Sequence, residues 1–80
     1  MSKKIVSFYK FKKLNNIDNL RNIIFEFMKK NSILGTIILA KEGININICG
    51  VSASVDNAKD FIQTTLDLKI DHFNECNIDK

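Results

Sequence analysis

The 80-residue sequence predicts an α+β sandwich with the element order β-α-β-β-α-β, and three observations carry that expectation. The middle of the chain, residues 35–50, reads as two strands back to back. Residues 36–40 are an almost unbroken run of strand-favouring residues, and Ile44, Ile46 and Ile48 then alternate with Asn45, Asn47 and Cys49. Apolar residues recur at helical spacing on both sides of this pair: Ile17, Leu20, Ile23, Ile24, Phe27 and Met28 before it, and Val55, Ala58, Phe61, Ile62 and Leu66 after it. Strand-like segments stand outside the two helices, at residues 4–11 and 68–73. Two right-handed βαβ crossovers that interleave in this order build one antiparallel sheet with both helices on a single face. That is the ferredoxin-like arrangement, with expected strand order 4-1-3-2.

Each element has its own local reasons. In the first strand Val6 and Phe8 fall on one face and Ile5, Tyr9 and Phe11 on the other, which suits a central position. Residues 12–16 form a connector that ends in Asn16, a residue suited to capping a helix predicted over 17–30. Asp18 in its first turn and Lys29 and Lys30 in its last complement the helix dipole. Asn31 and Ser32 close the helix, and Ile33 and Leu34 lead into the second strand. Lys41, Glu42 and Gly43 join the second and third strands. That link is too short for a crossover, so the strands must be antiparallel neighbours, and Gly43 is expected to supply a positive-φ position. The three isoleucines of the third strand should face the helices, leaving Asn45 and Asn47 on the open side. Ser52 is the expected cap of the second helix. Residues 74–80, polar apart from Cys76 and Ile78, read as a tail or the start of a linker. The predicted core is Val6, Phe8, Leu20, Ile24, Phe27, Ile44, Ile46, Ile48, Val55, Phe61, Ile62 and Ile70.

Length and composition narrow the class further. Eighty residues make one small domain with no room for a second core. A hydrophobic content of 45 % with alternating patterns marks a globular chain. No apolar run approaches the ~18 residues of a membrane span, and Met-Ser-Lys-Lys leads into a strand too short for a signal sequence, so the expected location is the cytoplasm, with no membrane partner. Cys49 and Cys76 lie far apart without a C-x-x-C motif and His72 is the only histidine, so no zinc site, disulfide framework or cofactor site is expected. Charge is uneven. Residues 1–41 carry +7 and residues 42–80 carry −4, which points to a basic stripe around the first strand.

The F-Y-K-F of Phe8 to Phe11, followed after a helix by G-T-I-I-L-A-K-E-G-I-N from Gly35 to Asn45, resembles the N-terminal, acylphosphatase-like domain of the rhodanese-type tRNA uridine hydroxylases. The resemblance spans nearly the whole chain in the family's order and spacing. One departure is that Ile46 and Asn47 stand where the family usually has Gly-Thr. The resemblance implies that full-length members use oxygen to hydroxylate the wobble uridine of certain tRNAs, with the essential cysteine in a downstream rhodanese domain. Neither Cys49 nor Cys76 lies in a C-x-x-G-x-R loop, so the catalytic role carries onto neither. The expected function is a non-catalytic module that helps to bind or orient tRNA beside the rhodanese domain.

Residues able to carry chemistry or binding are few. Lys10, Lys12 and Lys13 are the candidate phosphate contacts, against the alternative of an ordinary solvated loop. Tyr9, Phe11, Gly35, Glu42, Gly43 and Asn45 belong to the family motif and are assigned structural roles, Glu42 at the hairpin and Asn45 across the sheet. Acylphosphatases share the topology and hold phosphate in a Gly-rich loop after the first strand with an arginine at its end. Here that connector has neither glycine nor arginine, and Arg21 lies a full turn into the helix, so a stand-alone hydrolase is the alternative reading. An RNA-binding sheet of the RRM kind would stack bases on aromatics of the first and third strands. Only the first supplies them, so Tyr9 and Phe11 are assigned to packing against another domain or the chain's own tail, and a protein-docking domain is the third reading.

Overall fold

The alternating stretch in the middle of the chain becomes the hub of the sheet. In the computed structural model, which describes residues 2–78, the elements are β1 (Lys3–Phe11), α1 (Ile17–Lys30), β2 (Leu34–Ala40), β3 (Gly43–Val51), α2 (Ser52–Leu66) and β4 (Asn74–Ile78). The four strands form one antiparallel sheet in the order β2-β3-β1-β4, the ferredoxin-like order expected from the sequence. Among the described residues no helix is long and apolar enough to cross a membrane.

Pairing in register puts side chains of equal parity on one face. Val6 pairs with Ile48, Phe8 with Ile46 and Ile37 with Ile46, so these residues and Ile44 face the helices, and Val6, Ile44, Ile46 and Ile48 are at most 1 % exposed. Ile24 and Met28 of α1 and Val55, Ala58, Ile62 and Leu66 of α2 close over them. Nine of the twelve expected core residues are buried, whereas Leu20, Phe27 and Phe61 pack at its margin. Phe27 and Phe61 stack with centroids 4.1 Å apart, tying α1 to α2 at the outer rim of the helix layer. Leu14, Ile33 and Leu39 join the core from connectors and an edge strand, where no periodicity marked them.

Four local expectations need correction. The fourth strand is not at residues 68–73 but at Asn74–Ile78, the segment read as a tail; Asp79 and Lys80, the rest of that segment, lie outside the described residues. Asp67 ends α2 in the left-handed conformation at φ 51, and Gln63 then holds the returning chain. Its carbonyl accepts from the Leu68 amide at 3.0 Å and its side-chain oxygen from the Ile70 amide at 2.8 Å. These bonds bend residues 68–73 into a loop that buries Ile70 and seats Phe73 edge-on against Phe8, so pairing with β1 begins only at Asn74 opposite Ser7.

Asn16 does stand at the N-cap of α1, but in the left-handed conformation (φ 56), and its side chain makes no capping bond. Its carbonyl accepts the Leu20 amide, so asparagine suits this position through its tolerance of positive φ rather than through side-chain capping. Ser52 is the first helical residue rather than the cap; Val51 holds the cap position, and the Ser52 amide donates to the carbonyl of Ser2. Gly43 has no positive φ. It is required because a Cβ there would come within 2.7 Å of the Lys10 carbonyl oxygen. The positive-φ glycine is Gly35, at φ 141, where a Cβ would lie 1.9 Å from the carbonyl oxygen of Asn47.

Candidate nucleic-acid interface

The hairpin between β2 and β3 is a two-residue loop, Lys41 and Glu42, closed by the pairing of Ala40 with Gly43. Gly43 also pairs with Phe11, so the chain leaving β1 runs alongside that loop. The Lys12 amide donates to the Glu42 carbonyl and the Leu14 amide to the Lys41 carbonyl, each at 3.0 Å. Buried Leu14 anchors the connector from beneath. Two segments nearly thirty residues apart in sequence thus form one pinned end of the molecule.

That end is basic. Lys13 and Lys41 are exposed and line two adjoining clefts. One, of about 810 Å³, runs along the connector to the first turn of α1 and includes Asn15, Asn16, Asp18 and Arg21. The other, of about 540 Å³, includes Phe11, Lys12 and Glu42. Arg21 lies 3.6 Å from Asp18 one turn away, an exposed pair that leaves the guanidinium half accessible. Lys12 donates its ammonium to the main-chain carbonyl of Asp67. Lys10 has the parity of Val6 and Phe8, lines neither cleft and is half-buried, so the structure brings together Lys12 and Lys13 but not Lys10. Sequence reasoning passed over Lys41 and set Arg21 aside. The signal for Lys41 was the short hairpin, whose register with Phe11 fixes what the connector must lie against.

The opposite edge of the sheet has lysines of another kind. Lys4 donates to Asp56 at 2.9 Å, and Lys59 bonds Glu75 of β4, lies 3.5 Å from Asp56 and sits over the ring of Phe73. The Lys4 ammonium, with Lys59 adding to it, holds the Asp56 carboxyl below its ordinary value; the Lys59 hydrogen bond does the same for Glu75, and Glu75 in turn raises Lys59. These cations are neutralised locally. Among the described residues Lys12, Lys13 and Lys41 have no carboxylate within salt-bridge distance.

Among the described residues no element covers the sheet face away from the helices. Its cross-strand rows run Val51–Lys3–Ile78, then Leu34–Cys49–Ile5–Cys76, then Thr36–Asn47–Ser7–Asn74, then Ile38–Asn45–Tyr9, then Ala40–Gly43–Phe11. Tyr9 is 58 % and Phe11 74 % exposed, their rings edge-to-face at 4.8 Å. Asn45 is exposed and makes no side-chain hydrogen bond among the described residues, and the contribution of Glu42 at the hairpin is its main-chain carbonyl. Both cysteines are free, Cys49 half-buried and Cys76 exposed, on either side of Ile5.

A split-βαβ sandwich with a basic hairpin end defines the class, and the site at the start of α1 is not built like a phosphatase anion loop. The Lys12 and Leu14 amides that such a loop would aim at phosphate are spent on the hairpin carbonyls. Comparison with known proteins places the chain within that class: the profile of the UPF0176 acylphosphatase like domain matches residues 3–79, so the chain belongs to that family. Curated relatives agree. A tRNA uridine(34) hydroxylase of Wigglesworthia glossinidia brevipalpis is 41 % identical over 68 residues, covering 85 % of this chain and 22 % of the relative. Another, of Anaplasma marginale, is 33 % identical over 76 residues, covering 95 % of this chain and 27 % of the relative. The chain thus spans about a quarter of the length of the relatives it matches.

Proposed function

We propose that this domain is the N-terminal, non-catalytic module of a tRNA uridine(34) hydroxylase, and that it holds tRNA by its phosphates beside a rhodanese domain of the full-length protein, in the cytoplasm. The observation that carries the reading is the pinned hairpin end, where Lys13 and Lys41 from distant segments line the same two clefts without carboxylate partners among the described residues. Lys12 and Arg21 extend that surface, each partly engaged by its own neighbour. Fixed loops that carry mobile cations suit contacts that position a backbone without reading sequence. The family and the names of its relatives supply the tRNA. A stand-alone acyl-phosphate hydrolase is disfavoured by the spent amides.

Titration of labelled tRNA at two salt concentrations tests this. The chain should bind in the range of roughly 10⁻⁴ to 10⁻⁶ M, more weakly as salt rises. Reversing Lys13 and Lys41 to Glu should weaken binding about equally for unrelated tRNAs and flatten the salt dependence. Affinity indifferent to both salt and the two lysines, or no binding at low salt, would refute the reading. Purified chain should turn over neither acyl phosphate nor thiosulfate.

A further inference from the structure

We infer that the open face of the sheet receives unpaired nucleotides, with Phe11 and Tyr9 as stacking surfaces and Lys13 and Lys41 on the adjoining phosphates. The inference rests on the reading above and sharpens it: the partner is single-stranded RNA, such as a loop, rather than a duplex.

Three observations point to that occupant. Five large apolar side chains are exposed on this face, Ile5, Tyr9, Phe11, Leu34 and Ile38, and the two aromatic ones stand together at the basic end. Phe11 shares a cleft with Lys12, Lys13, Lys41 and Glu42, so a ring and an excess of positive charge border the same space. Single-stranded nucleic acid is bound by that combination, a positive track for the backbone beside aromatic platforms for the bases. Next to Phe11 in its row stand buried Gly43 and then exposed Ala40, neither with a side chain long enough to fence the ring. In the next row the unengaged amide of Asn45 lies between Tyr9 and Ile38, a donor and acceptor at the level of a stacked base's edge.

A protein partner fits less well. The centre of a protein-docking surface is apolar and poor in lysine. Here the polar row Thr36–Asn47–Ser7–Asn74 crosses all four strands and divides the apolar residues into two groups, one beside Lys3 and the other bordered by the three lysines of the hairpin end. Among the described residues β4 does not reach the aromatics either, because it pairs only from Lys3 to Ser7 of β1 and stops short of Tyr9.

Tyr9 is the only tyrosine and the chain has no tryptophan, so its fluorescence reports on this face without labelling. A short oligouridine and a blunt duplex RNA of equal length are titrated at low salt into the chain, into Phe11→Ala, and into the Lys13→Glu/Lys41→Glu pair. Oligouridine should quench Tyr9 and the duplex should not. Phe11→Ala should weaken oligouridine binding about 5- to 100-fold and leave duplex binding unchanged, whereas Phe11→Trp should retain it. Phe11 is 74 % exposed, so its loss is not a folding defect, and a circular-dichroism melt checks this. If the lysine pair lowers both affinities while Phe11→Ala lowers neither, stacking is refuted and the phosphate reading stands. Equal quenching by duplex overturns the inference as well, and no binding of either RNA overturns both.

Discussion

Six consecutive residues of β3 show the two sides of this molecule. Ile44, Ile46 and Ile48 are at most 1 % exposed and meet the helices, whereas the interleaved Asn45 and Asn47 are exposed and Cys49 half so. One side of the sheet is packed from strand to helix, and its residues answer to volume. The other carries amides, two exposed aromatics and, at its end, lysines without partners among the described residues, none of which the fold needs. The difference assigns stability to one parity and leaves the other free for the recognition proposed above, a separation that substitutions can break.

The largest effect belongs to the packed side. Ile46→Ala, at a site with no exposure in the central layer, should cost about 2 to 5 kcal/mol, read as a lowered denaturant midpoint with unchanged slope. Its neighbour Asn45→Ala should move stability by less than about 0.5 kcal/mol. Equal losses at the two positions would mean that the open face is packed against something and the comparison is wrong.

Gly35→Ala should come next. Its φ of 141 and the 1.9 Å approach of a Cβ to the Asn47 carbonyl oxygen cannot both be relieved without moving β2 off β3. The conformational strain alone is about 1 to 3 kcal/mol. Amide exchange of β2 should accelerate before that of β1. Uniform acceleration across the sheet would show that the edge strand and the centre unfold as one.

How much of this was legible follows the same division. The β3 alternation placed Ile44, Ile46 and Ile48 inward, and with the helix spacings it implied the topology, because burial in two layers imposes periods of 2 and 3.6 on sequence. Periodicity failed where burial is one-sided and brief. Residues 68–73 alternate like a strand, yet Gln63 ties them as a loop, and Asn74–Ile78 pairs through its backbone with side chains that are nearly all exposed. An edge strand of this kind leaves no apolar signature. The basic end was half legible for a different reason: Lys12 and Lys13 adjoin in sequence, but Lys41 reaches them only through pairing between the connector and the hairpin, and Lys10 has the wrong parity to join.

The smallest predicted effect lies at β4, where the division reaches the edge of the sheet. Glu75 pairs with Val6 and so has helix-side parity, held by Lys59, while Asn74 and Cys76 face the open side. Glu75 and Asp56 have carboxyl groups held below their ordinary values in the folded chain, so both lose protons more readily there than when unfolded. The sign follows. Their contribution is complete above the ordinary carboxylate range and disappears as pH falls below about 4, because protonation then favours the unfolded chain. Lys59, raised by Glu75, behaves oppositely, contributing below the ordinary lysine range and losing its effect as pH climbs through its folded value. The carboxylates are substantially exposed, with side-chain accessibilities of 37 % for Glu75 and 52 % for Asp56, so each pair is worth only about 0.2 to 1 kcal/mol. Glu75→Gln should therefore lower the melting temperature by about 1 to 8 °C at pH 7, and the difference should shrink as pH falls below the ordinary carboxylate range and the native carboxylate takes up its proton. Added salt at pH 7 should narrow the gap. A gap that does not shrink with falling pH would mean that Glu75 holds β4 by shape and hydrogen bonding, and that charge on the helix side of this edge contributes no more to the fold than the lysines of the open end.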